Sequence, residues 1–169
     1  MFPAIERNRP IYAQLRRLRP RPDQPKFLNV SGVLATNPKV ARYRPVEARS
    51  DIVVVTEGPI DALSAAAAGF RAVAVLGAAS VDPDVAAQLA ATPGRLVLAF
   101  DADTAGRTGS ERLERMLRDV QRPARSLSLP EGVNDLNDWL RVEGRSWTVA
   151  LDASVTDAIT PRRAGLRLG

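Results

Sequence analysis

The chain contains neither cysteine nor histidine among its 169 residues. That absence excludes disulfides, zinc fingers, thiol nucleophiles and imidazole acid–base chemistry together. Any metal must then be a hard cation on oxygen ligands: Mg²⁺, Mn²⁺ or Ca²⁺. Ser64, Ser80 and Ser110 lack the base partner that a catalytic triad needs. No apolar run approaches the ~20 residues of a membrane span, and the N-terminus shows no signal-peptide core. These absences predict a cytoplasmic protein with no membrane partner.

What is present points to one compact domain with a short appendage, since 45% of residues are apolar. The net charge is +5, unevenly spread. Residues 1–50 hold eleven Lys/Arg against three Asp/Glu, a net +8; the other 119 residues hold thirteen against sixteen, a net −3. A basic arm on a mildly acidic domain suits a protein that holds polyphosphate near carboxylates. An Arg-rich composition with a solvated basic surface accounts for the charge equally well.

The first 50 residues are rich in Pro and Arg and weak in periodicity. They predict irregular structure with short strands near 11–18 and 26–30. The pattern changes at residue 51. Ile52-Val53-Val54-Val55-Thr56 is a β-branched run without alternation, the pattern of a parallel strand buried on both faces. Further strands are predicted over 72–76, 96–100 and 125–129. Helices are predicted over 61–69, 83–91 with Asp82 as N-cap, 105–120 and 135–142. This strand–helix rhythm predicts an α/β fold: a roughly four-stranded parallel sheet flanked by helices, joined by right-handed crossovers. The expected parts are a small basic N-terminal subdomain (1–50), the α/β domain (51–150) and a C-terminal tail (151–169), frayed from Pro161 onward. Trp139 and Trp147 are expected to anchor the last helix.

In open α/β sheets, ligands bind at the carboxyl ends of the strands. Glu57 follows the first predicted strand of this sheet, and Asp101 and Asp103 follow the third. In extended chain, residues two apart share a face, so both aspartates are expected on one side. Three carboxylates in one cleft repel one another unless a divalent cation neutralises them. Such a cation can clamp phosphate oxygens during phosphoryl transfer. Gly58 and Gly106 flank the acids, where a backbone without side chains lets phosphate approach. Asp61 is either a helix cap or a prop for the Glu57 loop.

Thr56-Glu57-Gly58-Pro59-Ile60-Asp61-Ala62-Leu63 resembles the glutamate motif of TOPRIM domains. Phe100-Asp101-Ala102-Asp103-Thr104-Ala105-Gly106-Arg107 resembles their Asp-x-Asp motif as found in bacterial DnaG-type primases. Pro25-Lys26-Phe27-Leu28-Asn29 is similar to a segment upstream of the primase TOPRIM unit, and Asn134 to Leu140 to a later acidic motif, with Asn137 where primases often have Asp. Leu76-Gly77-Ala78-Ala79 is similar to a further primase turn. The resemblance spans roughly residues 20–142.

The resemblance implies a TOPRIM domain, Rossmann-like in layout, that binds Mg²⁺ or Mn²⁺. It implies Glu57 as metal ligand or general acid/base, and Asp101 and Asp103 as ligands supplemented by Asp135 and Asp138. Residues 1–50 become part of a primase-core-like subdomain in which Arg16, Arg17, Arg19, Lys26 and Asn29 contact phosphates. Gly58, Asp61, Gly106 and Arg107 complete the expected nucleotide-binding set. The implied partners are single-stranded DNA template and nucleotides, with a replicative helicase or separate primase domains as further candidates.

A chain without Cys or His has no counterpart of the primase zinc-binding domain, and only a remnant of the larger N-terminal core fits before residue 50. A reduced primase-like protein, a fragment, or a TOPRIM unit recruited elsewhere is therefore expected. Three functions follow: a DNA-templated nucleotidyltransferase, a TOPRIM metal-dependent nuclease using the same acids, or a non-catalytic nucleic-acid-binding module.

Overall fold

The computed structural model describes residues 1–7, 9–25, 27–48, 50–76 and 81–160. Two sheets organise it. The first is antiparallel, with order β1-β2-β3, built from β1 (Phe2–Glu6), β2 (Arg9–Arg16) and β3 (Phe27–Asn29). The second has five strands in the order β4-β6-β5-β7-β8. Its members are β4 (Val40–Tyr43), β5 (Ile52–Thr56), β6 (Arg71–Val75), β7 (Arg95–Leu98) and β8 (Arg125–Ser126).

Strands β6, β5, β7 and β8 run parallel, as the strand–helix rhythm predicts. The fifth strand, β4, pairs antiparallel with the outer edge of β6. It arises from the segment expected to belong wholly to the basic N-terminal unit. Val40 and Ala41 are buried, one on each face, so this four-residue strand completes both cores. Strand β8 covers two residues rather than five, although Leu127 N–H still donates to Leu98 O at 2.7 Å.

Among the described residues, five α-helices cover the large sheet: α1 (Pro59–Ala67), α2 (Pro83–Ala90), α3 (Thr104–Asp119), α4 (Leu136–Glu143) and α5 (Trp147–Ile159). The central strands β5, β6 and β7 are apolar on both sides, apart from the Arg that opens β6 and β7 and the closing Thr56 of β5, because each face has its own cover. Ile52, Val54, Ala72, Ala74 and Val97 share one core with Ala62, Ala65, Leu136, Trp139, Trp147, Leu151 and Val155. Val53, Val55, Val73, Val75, Leu96 and Leu98 share the other with Val85, Leu89, Leu113 and Leu117. The period of two is thus present, but hidden from a hydropathy reading.

Helix α5 corrects the expected tail from residue 151. Its Leu151 and Val155 are fully buried in the core. Trp139 and Trp147 meet edge-to-face at 5.3 Å, and Trp147 Nε1 donates to Ser64 O at 3.1 Å. This pins the start of α5 to α1. The predicted fraying from Pro161 and the turn at Gly77-Ala78-Ala79 lie outside the described residues. Among those described, no helix is long and apolar enough to cross a membrane.

Candidate nucleotide and metal site

The site stands at the carboxyl edge of the large sheet. Glu57 leaves the end of β5, where Thr56 Oγ1 donates to Gly58 O at 2.9 Å and tightens the turn into α1. Strand β7 ends at Leu98, but Ala99 N–H still donates to Val55 O at 2.8 Å. Asp101 is thereby carried alongside Glu57. The Glu57 carboxylate accepts from Asp101 N–H at 3.2 Å, directly linking the two motifs. Ala102 N–H donates to Asn134 O at 2.7 Å, which brings the 134–138 segment into the same edge.

Gly106 is the residue that this approach requires. A Cβ there would lie 2.2 Å from Asp101 O and 2.5 Å from Glu57 Oε1, closer than any side chain tolerates. Gly58 has no comparable constraint, since a Cβ would meet only Asp61 Oδ2 at 3.4 Å.

Glu57, Gly58, Asp61, Asp101, Asp135, Asn137, Asp138 and Arg141 line one side of a cleft of about 340 Å³. Gln14, Arg16, Phe27 and Asn29, from β2 and β3 of the small sheet, line the other. The acid wall and the basic arm therefore face each other across one cavity.

The acids are electrostatically strained. Burial pushes the Asp61 carboxyl up to about 7, with the neighbouring Asp135 and Asp101 charges adding to the rise; a 3.1 Å hydrogen bond from Asn137 N–H opposes it. Glu57 is also raised, first by burial and then by the charges of Asp103 and Asp61, against the opposing hydrogen bond from Asp101 N–H.

Asp103 and Asp135 each commit one oxygen to a helix end. Asp103 accepts from Gly106 N–H at 2.8 Å and caps α3, and Asp135 accepts from Asp138 N–H at 2.7 Å and caps α4. Asp103 is exposed. Strand β7 ends at Leu98 and α3 begins at Thr104, with Asp103 still extended as the N-cap, and the Asp103 charge reaches Glu57 and helps to raise its carboxyl.

Among the described residues, no three acidic side chains close into a ready-made metal cage. The donor chemistry nonetheless fits a hard divalent cation. The wall groups the carboxylates of Glu57, Asp61, Asp101, Asp135 and Asp138, and the Asp61 and Glu57 carboxyls are raised by burial first and by neighbouring negative charge second, a charge that such an ion relieves.

The other predicted residues are dispersed. Arg16 stacks over Phe27 at 5.8 Å inside the cleft. Arg17 lines a neighbouring cavity with Phe2, Leu18 and Ile60, and Arg19 is exposed beyond β2. Arg107 folds back onto its own loop, donating to Ala102 O and, at 3.3 Å, to Thr104 Oγ1. Lys26 lies outside the described residues. Sequence reasoning missed Gln14, Phe27 and Arg141 as cleft residues. The available signal was alternation in β2 and β3, which puts Gln14, Arg16, Phe27 and Asn29 on one face.

Residues 54–140 match the family model described as Toprim-like. A DNA primase domain from Pseudomonas aeruginosa is similar, with 31% identity and a TM-score of 0.73 over 94% of this chain and 50% of that one. A DnaG primase catalytic domain bound to ssDNA is similar at 26% identity and a TM-score of 0.70, over 94% of this chain and 51% of that one. The RNA polymerase domain of Mycobacterium tuberculosis primase DnaG shares the fold at 20% identity and a TM-score of 0.66, over 91% and 53% of the two chains. No curated protein matches. The chain spans about half the length of the primase structures that it matches. On the family match over residues 54–140, this chain belongs to the Toprim-like family, with a TOPRIM domain resembling the bacterial primase core.

Proposed function

We propose that the chain is a primase-like nucleotidyltransferase, using a divalent metal at the acid wall to extend a primer on single-stranded DNA. The observation that carries this reading is the cleft itself. Carboxylates from two motifs face Arg16, Phe27 and Asn29 of a separate sheet, so phosphate chemistry and strand binding share one space. A nuclease needs the same acids; the small-sheet wall and its likeness to primase domains favour synthesis.

Glu57, Asp101 and Asp135 would hold Mg²⁺ or Mn²⁺, with Asp103 adding its charge from the α3 cap. The ion, when bound, supplies charge neutralisation at the phosphate oxygens. Glu57, with its raised pKa, is suited to take a proton from the attacking hydroxyl. Gly106 keeps Glu57 and Asp101 close enough to act together. Arg16, held by Phe27, contacts the strand or the triphosphate by charge-assisted hydrogen bonds.

The test is extension of labelled single-stranded DNA with NTPs or dNTPs and Mg²⁺ or Mn²⁺, with Asp101→Asn in parallel. Metal-dependent longer products that vanish in the variant are expected. Shortened DNA that vanishes in the variant would make the chain a nuclease. Binding without either product would leave a non-catalytic module.

A further inference from the structure

The Gln14 side chain is a polar group enclosed in the small sheet, with only 5% of its surface exposed. It sits directly across the β2–β3 ladder from Asn29. Its Nε2 donates to Asn29 Oδ1 at 3.0 Å. Both residues line the cleft that holds the acid wall. We propose that Gln14 is a positioning residue: by occupying the Asn29 oxygen, it fixes the Asn29 amide as a hydrogen-bond donor toward the cleft, to receive a phosphate oxygen.

The argument follows from the amide group. A primary amide carries its acceptor and its two donors on opposite branches of one plane. Holding the oxygen at Gln14 turns the NH₂ away from Gln14. An enclosed glutamine amide without a partner is costly, so the pair is enforced from the buried side. Asn29, by contrast, is exposed, and without Gln14 it would rotate freely. A donor is what this wall needs, because a phosphate oxygen entering beside Glu57, Asp61 and Asp101 can only accept. Neighbouring Arg16 is likewise a donor only, so both cleft-facing cross-strand pairs, Gln14–Asn29 and Arg16–Phe27, present the same polarity.

The proposal rests on the nucleic-acid reading above, and the phosphate can belong to a DNA strand or to a nucleotide. The experiment measures binding rather than turnover, in Mg²⁺, with two probes: a fluorescein-labelled oligo(dT) followed by anisotropy, and ATP followed by calorimetry. Wild type, Gln14→Met, Asn29→Ala and the double variant form a cycle. Gln14→Met is expected to weaken one probe about tenfold, the scale of a charge-assisted hydrogen bond, with Asn29→Ala weakening the same probe at least as much. The double variant should then match Asn29→Ala, because Gln14 acts only through Asn29. Which probe responds identifies the phosphate.

Asn29→Asp still accepts from Gln14 but offers the cleft a carboxylate oxygen, so it should bind more weakly than Asn29→Ala. Equal effects of Gln14→Met in both Asn29 backgrounds would overturn the proposal and make Gln14 a purely structural residue. Wild-type affinity in Gln14→Met or Asn29→Asp, measured on a chain that binds normally, would overturn it while leaving the primase reading intact. Failure of the wild type to bind either probe would overturn both.

Discussion

The two sheets of this molecule are built on different principles. The large sheet is sealed on both faces: all five residues of β5 are buried, and Val54 and Val55 expose nothing. The small sheet is sealed on one. Ala4, Tyr12 and Gln14 are buried on its inner side, whereas Ile5, Ile11 and Leu15 on its strands are 63%, 38% and 42% exposed. The contrast separates labour. The rigid sheet fixes carboxylates at its edge, and the lighter sheet supplies the opposite wall through cross-strand pairs. On the proposed function, the carboxylates need fixed positions, whereas a wall that binds nucleic acid needs donors and an aromatic surface.

The comparison breaks most visibly in stability. Leu151→Ala, in the core under the large sheet, is expected to cost about 2–5 kcal/mol, measured by urea unfolding. Gly106→Ala should cost about 1–3 kcal/mol through overpacking against Asp101 O and Glu57 Oε1. It should also abolish extension activity, because either Glu57 or the Asp101 loop must move. A Gly106→Ala protein with wild-type stability and activity would show that the close approach is dispensable.

A smaller effect is expected from pH. Asp61 is raised from 3.8 to about 7 in the folded protein. The folded state therefore holds a proton that the unfolded chain releases once the pH passes about 4. The resulting stabilisation is complete below that value and is lost as pH rises through about 7. Metal-free protein should lose stability over that window, and Asp61→Asn should flatten the slope. A stability that rises with pH across the window would contradict the burial of this carboxyl. Smallest of all, Leu15→Ala on the open face should change stability by no more than about 0.5 kcal/mol. A loss comparable to Leu151→Ala would mean that the small sheet has a second covered face.

The same contrast explains what could be read from the sequence. The four parallel strands and their helices were legible because β-branched runs such as 52–56 exist only where both faces are buried. Helix starts were legible where a side chain caps them, as Asp82 does by accepting from Val85 N–H at 3.0 Å. Strand β4 was not, because Val-Ala-Arg-Tyr inside a Pro- and Arg-rich stretch gains its strand state from pairing with β6. Strand β1 escaped for a related reason: its Pro3 weakens the strand signal, and pairing with β2 forms it. Helix α5 mixes Thr, Val, Ser and Asp, so its buried stripe of Leu151 and Val155 was easily taken for a tail. Glu57, Asp101 and Asp135 were expected together from their motifs and line one cleft, and Asp61, expected as a helix cap or a prop for the Glu57 loop, lines it with them. The capping of α3 by Asp103 could not be read, since it depends on where β7 stops and α3 begins.

The central claim is that the carboxylates at the edge of the large sheet form a site for a hard divalent cation. Calorimetric titration of Mn²⁺ at pH 8, above the raised Asp61 value of about 7, tests it most directly, with wild type beside Glu57→Gln and Asp101→Asn. The account predicts saturable binding to the wild type, accompanied by a rise in Tm, and at least tenfold weaker binding to each folded variant. Equal Mn²⁺ affinity in all three proteins would contradict it.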